Sequence, residues 1–180
     1  ATTVVAVSDP AVAESTDTTA GAATDSTVAE GTDTTAATTE TTAAASGALF
    51  PSGAELAVSF SFTPSSSDRV RNPYIAVWIE DTSGNLVKTI SLWYRQGKGD
   101  RWLSDLQQWA SSSGETIDAS TSGATRTAGD YTVVWDGTDA DGNAVAQGDY
   151  VLFIEAAREH GPYELISQDI SITDAGFDVT

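Results

Sequence analysis

Aromatic residues are confined to one part of the chain, and this confinement limits where a folded core can form. The sequence contains five Trp, five Tyr and five Phe, and all of them follow residue 48. Residues 1–47 contain no Lys, Arg or aromatic residue and consist mainly of Thr, Ala, Ser, Gly and carboxylates. Such a composition buries too little apolar surface to offset the entropy of ordering the chain. We therefore predict an acidic, Thr- and Ala-rich disordered tether over residues 1–47 and one domain over residues 48–180.

The net charge of the chain excludes several classes of partner. The formal charge is −18 at pH 7, so the chain repels phosphate backbones and anionic lipid surfaces. The sequence has no Cys, which excludes disulfides, thiolate metal sites and thiol nucleophiles. No apolar run approaches the length of a membrane-spanning helix. We expect an exported and processed protein, periplasmic or at the cell surface, that neither binds nucleic acid nor inserts into a membrane.

Alternating hydrophobicity predicts that the domain is built from β-strands. In ELAVSFSF, residues 55–62, large apolar side chains alternate with small or polar ones, as in a half-buried antiparallel strand. YIAVWIED and LVKTISLWYR flank a Ser-Gly-Asn turn at residues 83–85, which predicts a hairpin. Three further segments, DYTVVWDG, GDYVLFIEAA and YELISQDISI, have strand composition. About six or seven strands with short connections indicate an all-β, immunoglobulin-like antiparallel sandwich.

One segment breaks the strand pattern and predicts a short helix. In GDRWLSDLQQWASSSG, residues 99–114, apolar residues recur with helical spacing. The residues on this helical face are Trp102, Leu103, Leu106, Trp109 and Ala110. Asp100 is the expected N-cap and Gly114 the expected C-terminal stop. We expect the helix to close one end of the sandwich, with its tryptophans in the core rather than in a ligand site.

These sequence blocks resemble two known families. Residues 128–156, AGDYTVVWDGTDADGNAVAQGDYVLFIEA, resemble the immunoglobulin-like module of flagellar hook-capping proteins, which is structural. A longer series over residues 73–172, including PYIAVWIEDTSGNLVKTISLW, RWLSDLQQW, SGATR and EAAREHGPYELISQ, resembles the bacterial periplasmic family named domain of unknown function 2271. That second resemblance implies an exported protein. It also implies a link to flavin, because many members are encoded near flavin transferases and flavin-linked membrane redox proteins.

The link to flavin gives the motif SGAT at residues 122–125 a chemical meaning. Substrates of bacterial flavin transferases carry Ser/Thr-Gly-Ala-Thr/Ser after an Asp, and FMN is joined through its phosphate to the last hydroxyl. This resemblance implies that Thr125 is the FMN attachment residue. The matching residues are Asp118, Ser122, Gly123, Ala124, Thr125 and Thr127. Asp118 stands one residue further from Thr125 than the common pattern places it, and a plain small-residue turn is the alternative interpretation.

Oxygen ligands of the kind that Ca²⁺ prefers recur in WDGTDADGN, residues 135–143. The candidate ligands are Asp136, Asp139, Asp141 and Asn143. The segment lacks the Gly and the Glu of an EF-hand loop, and Asp-Gly and Gly-Asn are favoured in tight hairpin turns. The sequence therefore predicts a turn, with a weak surface Ca²⁺ site as the alternative.

Two basic segments complete the candidates. AREHG, residues 157–161, contains the only His, and one His without Cys excludes Cys–His catalysis and multi-histidine metal sites. Arg158 and His160 are interpreted as an ion-pairing residue and a turn residue, or, together with Arg126, as contacts to a bound flavin. RQGKGDR, residues 95–101, is the densest positive stretch. It predicts a solvated loop, with an anion at the following helix N-terminus as the alternative.

Two functions follow from these patterns. The first is an exported electron carrier, not an enzyme, with covalent FMN on Thr125; its partners are a flavin transferase and membrane redox proteins. In that function Trp93, Trp102 or Trp109 would shield the flavin ring. The second is a cofactor-free structural or binding module at the cell surface. In the second, the β-prone run TTVVAVS at residues 2–8 adds as a strand to a neighbouring subunit and builds a polymer.

Overall fold

The computed structural model describes residues 3–4, 47–63, 72–158, 161–174 and 176–179, which form two β-sheets and a helical segment. The strands are β1 (Thr3–Val4), β2 (Leu56–Phe62), β3 (Tyr74–Asp81), β4 (Leu86–Trp93), β5 (Ser122–Gly123), β6 (Gly129–Trp135), β7 (Gly148–Ala157), β8 (Tyr163–Thr173) and β9 (Gly176–Val179). A 3₁₀ helix, Asp100–Asp105, precedes the α-helix α1, Gln107–Ser113. The predicted all-β sandwich with a short helix is therefore confirmed.

The strand order divides the sandwich into a small and a large sheet. The small sheet has the order β1-β2-β6, and the large sheet has the order β5-β4-β3-β7-β8-β9. Neighbouring strands are antiparallel, except that β5 runs parallel to β4. The predicted hairpin of β3 and β4 is present, and Gly84 in its turn has φ 82°. The link between β6 and β7, residues 136–147, carries the chain from the small sheet to the large one.

The core between the sheets contains the alternate residues that the sequence predicts. All four large apolar side chains of β2 are buried, and the residues between them are half-buried. Since a shift of one residue in register would turn these side chains outward, burial fixes the pairing of β2 with β6. The buried residues of this core are Phe50, Leu56, Val58, Phe60, Phe62, Ile75, Val77, Ile79, Trp93, Trp135, Val145, Leu152, Ile154, Ile170 and Ile172.

The helical segment covers the outer face of the large sheet, and our expectation that it closes an end of the sandwich was wrong. β3 is buried on both faces, because the residues that alternate with its core positions pack against the helices. This second cluster contains Ala76, Trp78, Leu92, Tyr94, Leu103, Leu106, Trp109 and Ala157. The continuous apolar run of β3 is typical of a strand that is covered on both sides.

The ends of the helical segment differ in part from the prediction. Asp100 is not an N-cap: the N-cap position of the 3₁₀ helix is Gly99, and Asp100 is the first helical residue. Leu106 separates the two helices and occupies the N-cap position of α1 without a side-chain cap. Gly114 ends α1 in the left-handed conformation at φ 59°, as predicted.

A Gly-Asp-Tyr tripeptide begins both β6 and β7, and the two copies have the same geometry. The hydroxyl of Tyr131 donates to the carbonyl of Thr127 at 2.6 Å, and the hydroxyl of Tyr150 donates to the carbonyl of Ala146 at 2.6 Å. The glycines of the two tripeptides have φ 158° and 147°. Each tyrosine therefore ties the start of its strand to the loop residue four positions earlier.

Candidate functional site

The SGAT motif lies on the edge of the large sheet and is not a free turn. Its first two residues form β5, which pairs in parallel with Leu92 and Trp93 of β4. The N–H of Leu92 donates to the carbonyl of Thr121 at 2.9 Å, and the N–H of Tyr94 donates to the carbonyl of Gly123 at 3.0 Å. The backbone of residues 121–123 is thus held by two hydrogen bonds from the end of β4 and the residue that follows it.

Thr125 follows this pinned segment and remains accessible. Ala124 is exposed and the side chain of Thr125 is half-exposed. The next residue, Arg126, is exposed, and its guanidinium carbon lies 4.3 Å from the ring centre of Trp93 and 5.4 Å from that of Tyr131. Thr125 is therefore partly accessible and precedes in sequence a cation that is stacked on an aromatic surface.

The aromatic surface under Arg126 belongs to the core. The ring centres of Trp93 and Tyr131 are 4.9 Å apart in an edge-to-face arrangement. Phe60 packs against Trp93 at 5.5 Å, and Phe62 stacks on Tyr131 at 5.5 Å. These rings come from β2, β4 and β6, so they join the two sheets beside the SGAT motif. Edge-to-face and stacked pairs stabilise such a cluster beyond the area they bury.

The glycine of the motif has no structural requirement in this fold. Gly123 is absent from the residues with positive φ, so its backbone conformation is open to other amino acids. A Cβ at Gly123 would lie 4.0 Å from Cδ1 of Trp93, which is ordinary van der Waals contact. By contrast, the glycine of the other Ser-Gly-Ala sequence at residues 52–54, Gly53, has φ 81°. Strand geometry therefore does not explain why a small residue stands directly before Ala124 and Thr125.

The other residues of the predicted attachment motif have structural partners. Asp118 accepts hydrogen bonds from the N–H and the hydroxyl of Ser120 at 2.8 and 2.7 Å. These bonds, first the one from the Ser120 side chain, lower the pKa of Asp118. Asp118 thus stabilises the turn before β5, whereas Thr125 follows β5. Thr127 is exposed, and its carbonyl accepts the hydrogen bond from Tyr131.

The three tryptophans that were considered as flavin shields lie in different places. Trp93 is paired with Gly123 of the motif in the parallel register of β4 and β5. Trp109 belongs to α1 and is fully buried, and its ring N–H donates to the Thr89 hydroxyl at 3.0 Å. Trp102 is half-buried, with the guanidinium carbon of Arg101 4.9 Å from its ring centre. Trp93 is therefore the tryptophan that the structure brings to SGAT.

The described residues of the two basic segments make hydrogen bonds elsewhere in the fold. Arg158 donates to the carbonyl of Thr63 at 3.1 Å and so links the end of β7 to the end of β2. His160 lies outside the described residues. In residues 95–101, the hydroxyl of Tyr74 donates to the carbonyl of Gly99 at 3.1 Å. Asp100 puts a carboxylate in the first turn of the 3₁₀ helix, which disfavours the anion that we had considered there.

Two of the candidate Ca²⁺ ligands, Asp136 and Asp139, accept hydrogen bonds within turns, and Asp141 and Asn143 are donors to Asp139. Asp139 Oδ1 accepts from the N–H groups of Asp141 and Asn143 at 2.9 and 2.8 Å, and hydrogen bonding, mainly from the Asn143 N–H, lowers its pKa. Asp136 accepts from the N–H and the hydroxyl of Thr138 at 3.1 and 2.7 Å. Within the described residues, no group of three or more His, Cys, Asp or Glu side chains is arranged to hold a metal ion.

Sequence reasoning missed the grouping of Arg126, Trp93 and Tyr131. Arg126 and Tyr131 are close in sequence, but Trp93 lies far from both in the chain, and the pairing of β5 with β4 brings it beside Gly123. A two-residue strand produces no periodicity that could have revealed it. The repeated Gly-Asp-Tyr tripeptide was a usable signal for the position of Tyr131, because both copies begin a strand.

Comparison with known proteins identifies a family for most of the chain. A family model described as "Predicted periplasmic protein (DUF2271)" matches residues 55–180. No curated protein and no solved structure matches the chain significantly. No helix among the described residues is both long and apolar enough to cross a membrane. The chain belongs to the family of predicted periplasmic proteins named domain of unknown function 2271.

Proposed function

We propose that this protein is an exported electron carrier that holds FMN covalently on Thr125 and serves a flavin-linked redox system outside the cytoplasm. The observation that carries the proposal is the geometry of SGAT. The N–H groups of Leu92 and Tyr94 hold the carbonyls of Thr121 and Gly123, and Thr125 follows on a partly exposed segment before Arg126. A plain small-residue turn would explain neither the strand pairing nor a glycine without positive φ.

The attachment step is a transfer of a flavin phosphate to a hydroxyl. Oγ1 of Thr125 attacks the phosphorus on the FMN side of flavin adenine dinucleotide, and a new O–P bond forms. The P–O bond of the pyrophosphate breaks, adenosine monophosphate leaves, and the hydroxyl proton passes to a base of the transferase. The transferase must reach Thr125 from solvent, and the small side chains before it leave the backbone open to that approach.

The residues around Thr125 fit a phosphate-linked flavin. Arg126 offers a guanidinium next to the phosphoester, and guanidinium groups bind phosphate oxygens well. Arg126 covers Trp93 and Tyr131 at 4.3 and 5.4 Å, so a flavin ring that displaced this guanidinium would meet an aromatic surface. When bound, the flavin would supply the electron transfer, and the protein would supply orientation and electrostatics.

The rest of the chain fits a carrier better than an enzyme. The chain has no Cys and one His, which excludes Cys–His catalysis, and we propose a flavin transferase and membrane redox proteins as partners. When Thr3–Val4 is released from β2, the acidic residues 1–47 would act as a tether that lets the flavin domain travel between donor and acceptor. A domain that carries its redox group at an accessible edge is suited to meeting more than one partner.

Intact mass spectrometry tests the proposal directly. The protein is expressed with and without a bacterial flavin transferase, as wild type and as Thr125→Ala, Thr125→Ser and Thr127→Ala. We expect a mass gain of one FMN less water, with yellow absorbance, in the wild type and in Thr125→Ser and Thr127→Ala. We expect no gain in Thr125→Ala. An unmodified wild type, or a gain that persists in Thr125→Ala, would overturn the proposal and favour a cofactor-free surface module.

A further inference from the structure

β1 of the small sheet is joined to β2 by a long connection. Such a connection allows β1 to come from the same chain or from another copy. β1 lies at the edge of this sheet, where Thr3 is opposite Ser61 and Val4 is opposite Phe60 of β2. On its other side, β2 pairs with β6 along all of Leu56–Phe62. β1 thus occupies a sheet edge that would otherwise present unpaired backbone groups.

We infer that the β1 position exchanges between copies, so that Thr3–Val4 of one chain pairs with β2 of another. The first argument is length. Residues 5–55 separate β1 from β2, whereas a hairpin connection of two to five residues would force pairing within one chain. A segment as long as residues 5–46 has a maximum reach of roughly 140 Å, which greatly exceeds the distance between touching domains.

The second argument is energetic. The backbone hydrogen bonds of β1 with β2 are the same whether β1 comes from the same chain or from another. The balance is then set by the effective concentration of the attached strand, which is about a millimolar for short linkers and falls as linkers lengthen. Copies that are present above this effective concentration compete successfully with a strand on so long a connection. Reciprocal exchange gives a closed dimer, and one-way exchange gives a growing chain of subunits.

Charge predicts how exchange responds to salt. Two copies with a formal charge of −18 each repel one another, and this repulsion is screened over about 10 Å at 0.1 M salt and about 30 Å at 0.01 M. Exchange should therefore increase with ionic strength. The inference does not depend on flavin, and its test uses protein made without a flavin transferase.

Disulfide trapping tests the inference cleanly, because the chain has no Cys of its own. Directly opposed residues of antiparallel strands have Cα atoms about 4.5–5.5 Å apart, which suits a disulfide. Thr3→Cys and Ser61→Cys are made as two single variants, one labelled with ¹⁵N, and as a double variant. Ala57→Cys, four residues or roughly 13 Å further along β2, is the register control.

The expected result is a mixed disulfide between labelled and unlabelled chains when the Thr3→Cys and Ser61→Cys variants are combined and oxidised. Its yield should rise with salt and exceed that of Thr3→Cys with Ala57→Cys at least tenfold. The double variant should form both internal and intermolecular disulfides. Exchange would be overturned if the double variant formed only internal disulfides and the mixed Thr3→Cys and Ser61→Cys variants gave no more intermolecular disulfide than the Ala57→Cys control. It would also be overturned by a double variant in which the two introduced thiols form no disulfide with each other at all, since β1 would then not pair with β2.

Discussion

The carboxylate of Glu155, on β7, accepts a 2.8 Å hydrogen bond from the backbone N–H of Trp109, on α1. It accepts a second bond from the N–H of Gln108 at 3.0 Å. Glu155 is completely buried, and no side chain of the helix itself caps α1. A carboxylate at this position accepts hydrogen bonds from free N–H groups of the first turn and interacts favourably with the positive end of the helix dipole. The large sheet therefore supplies the N-terminal cap of the helix that covers it.

Replacing Glu155 by Gln should loosen α1 from the sheet. The amide keeps one acceptor but points N–H groups toward the helix N–H groups, which leaves buried donors unpaired. We expect the free energy of unfolding to fall by roughly 2–4 kcal/mol, measured by urea denaturation followed by tryptophan fluorescence. The exposed carboxylate Glu55 provides the matched control, and Glu55→Gln should change stability by less than about 0.5 kcal/mol. Equal stabilities of the two variants would contradict the capping role.

Gly137 follows β6 at a point where backbone conformation and space are both restricted. Its φ is 73°, and a Cβ there would lie 2.1 Å from Cγ of the buried Phe50 ring. Gly142 has φ 85° with nothing near its Cβ position. We expect Gly142→Ala to cost only about 1 kcal/mol of backbone strain. Gly137→Ala should cost more than about 3 kcal/mol, because the Phe50 ring must move as well.

Thermal unfolding of the two alanine variants separates these contributions. The difference between Gly137→Ala and Gly142→Ala isolates the steric clash, because both backbones have similar positive φ. If the two melting temperatures were the same, the packing of Phe50 over Gly137 would be in error.

The hydrogen bonds of Tyr131 with Thr127 and of Tyr150 with Ala146, here called the two tyrosine corners, should contribute similarly and independently to stability. Tyr131→Phe and Tyr150→Phe each remove one hydroxyl that bonds a loop carbonyl at 2.6 Å. We expect each to reduce the free energy of unfolding by roughly 1–2 kcal/mol, and the double variant to show the sum. Chemical denaturation of both singles and the double measures this. A double variant no less stable than the singles would show that the corners are coupled.

Much of the fold could be predicted because its signals are local. The alternation of β2 and the hairpin of β3 and β4 depend on neighbouring residues, and both predictions are confirmed. The position of the helix could not be read in the same way, because it depends on which face of the large sheet lacks a partner. The apolar run Ile75–Ile79 contained that information, since burial on both faces removes alternation.

The candidate site was predictable in its chemistry but not in its surroundings. The SGAT motif identifies Thr125 by residue type alone, through a family resemblance. Its contact with Trp93 arises from a parallel pairing between β4 and β5 that spans two residues. Such a pairing depends on tertiary packing, so composition gives no sign of it. Asp118 shows the reverse: its type fits the motif, yet its hydrogen bonds with Ser120 give it a structural role.

The turn at Asp139 should make a pH-dependent contribution to stability. Hydrogen bonds, first from the Asn143 N–H, lower the pKa of Asp139 below its ordinary value of 3.8. A folded-state pKa below the unfolded one stabilises the fold at pH values above 3.8, and this contribution disappears as pH falls through the folded pKa. Asp139→Ala should therefore lower the melting temperature at pH 7 and have a progressively smaller effect toward pH 2.

Asp141→Ala is the control for that experiment, because Asp141 contributes its backbone N–H to the turn. This N–H survives the substitution, so little change is expected at any pH. Melting curves between pH 7 and pH 2 for the wild type and both variants provide the comparison. An effect of Asp139→Ala that stayed constant over this range would mean that the charge of the carboxylate is irrelevant to the turn.

If FMN is attached to Thr125, tryptophan substitutions should distinguish which indole lies near it. An indole in contact with a flavin quenches its fluorescence by donating an electron to the excited ring. Trp93 borders Gly123 within the motif, whereas Trp109 belongs to α1 on the other face of the large sheet. Trp93→Phe should therefore raise the fluorescence yield and lifetime of the attached flavin severalfold, and Trp109→Phe should leave both unchanged.

Circular dichroism confirms that each variant is folded, and intact mass confirms that each carries flavin. An equal effect of both substitutions, in folded and fully modified protein, would mean that the flavin does not lie against Trp93. The ring would then extend into solvent from Thr125, and its potential would be close to that of free FMN.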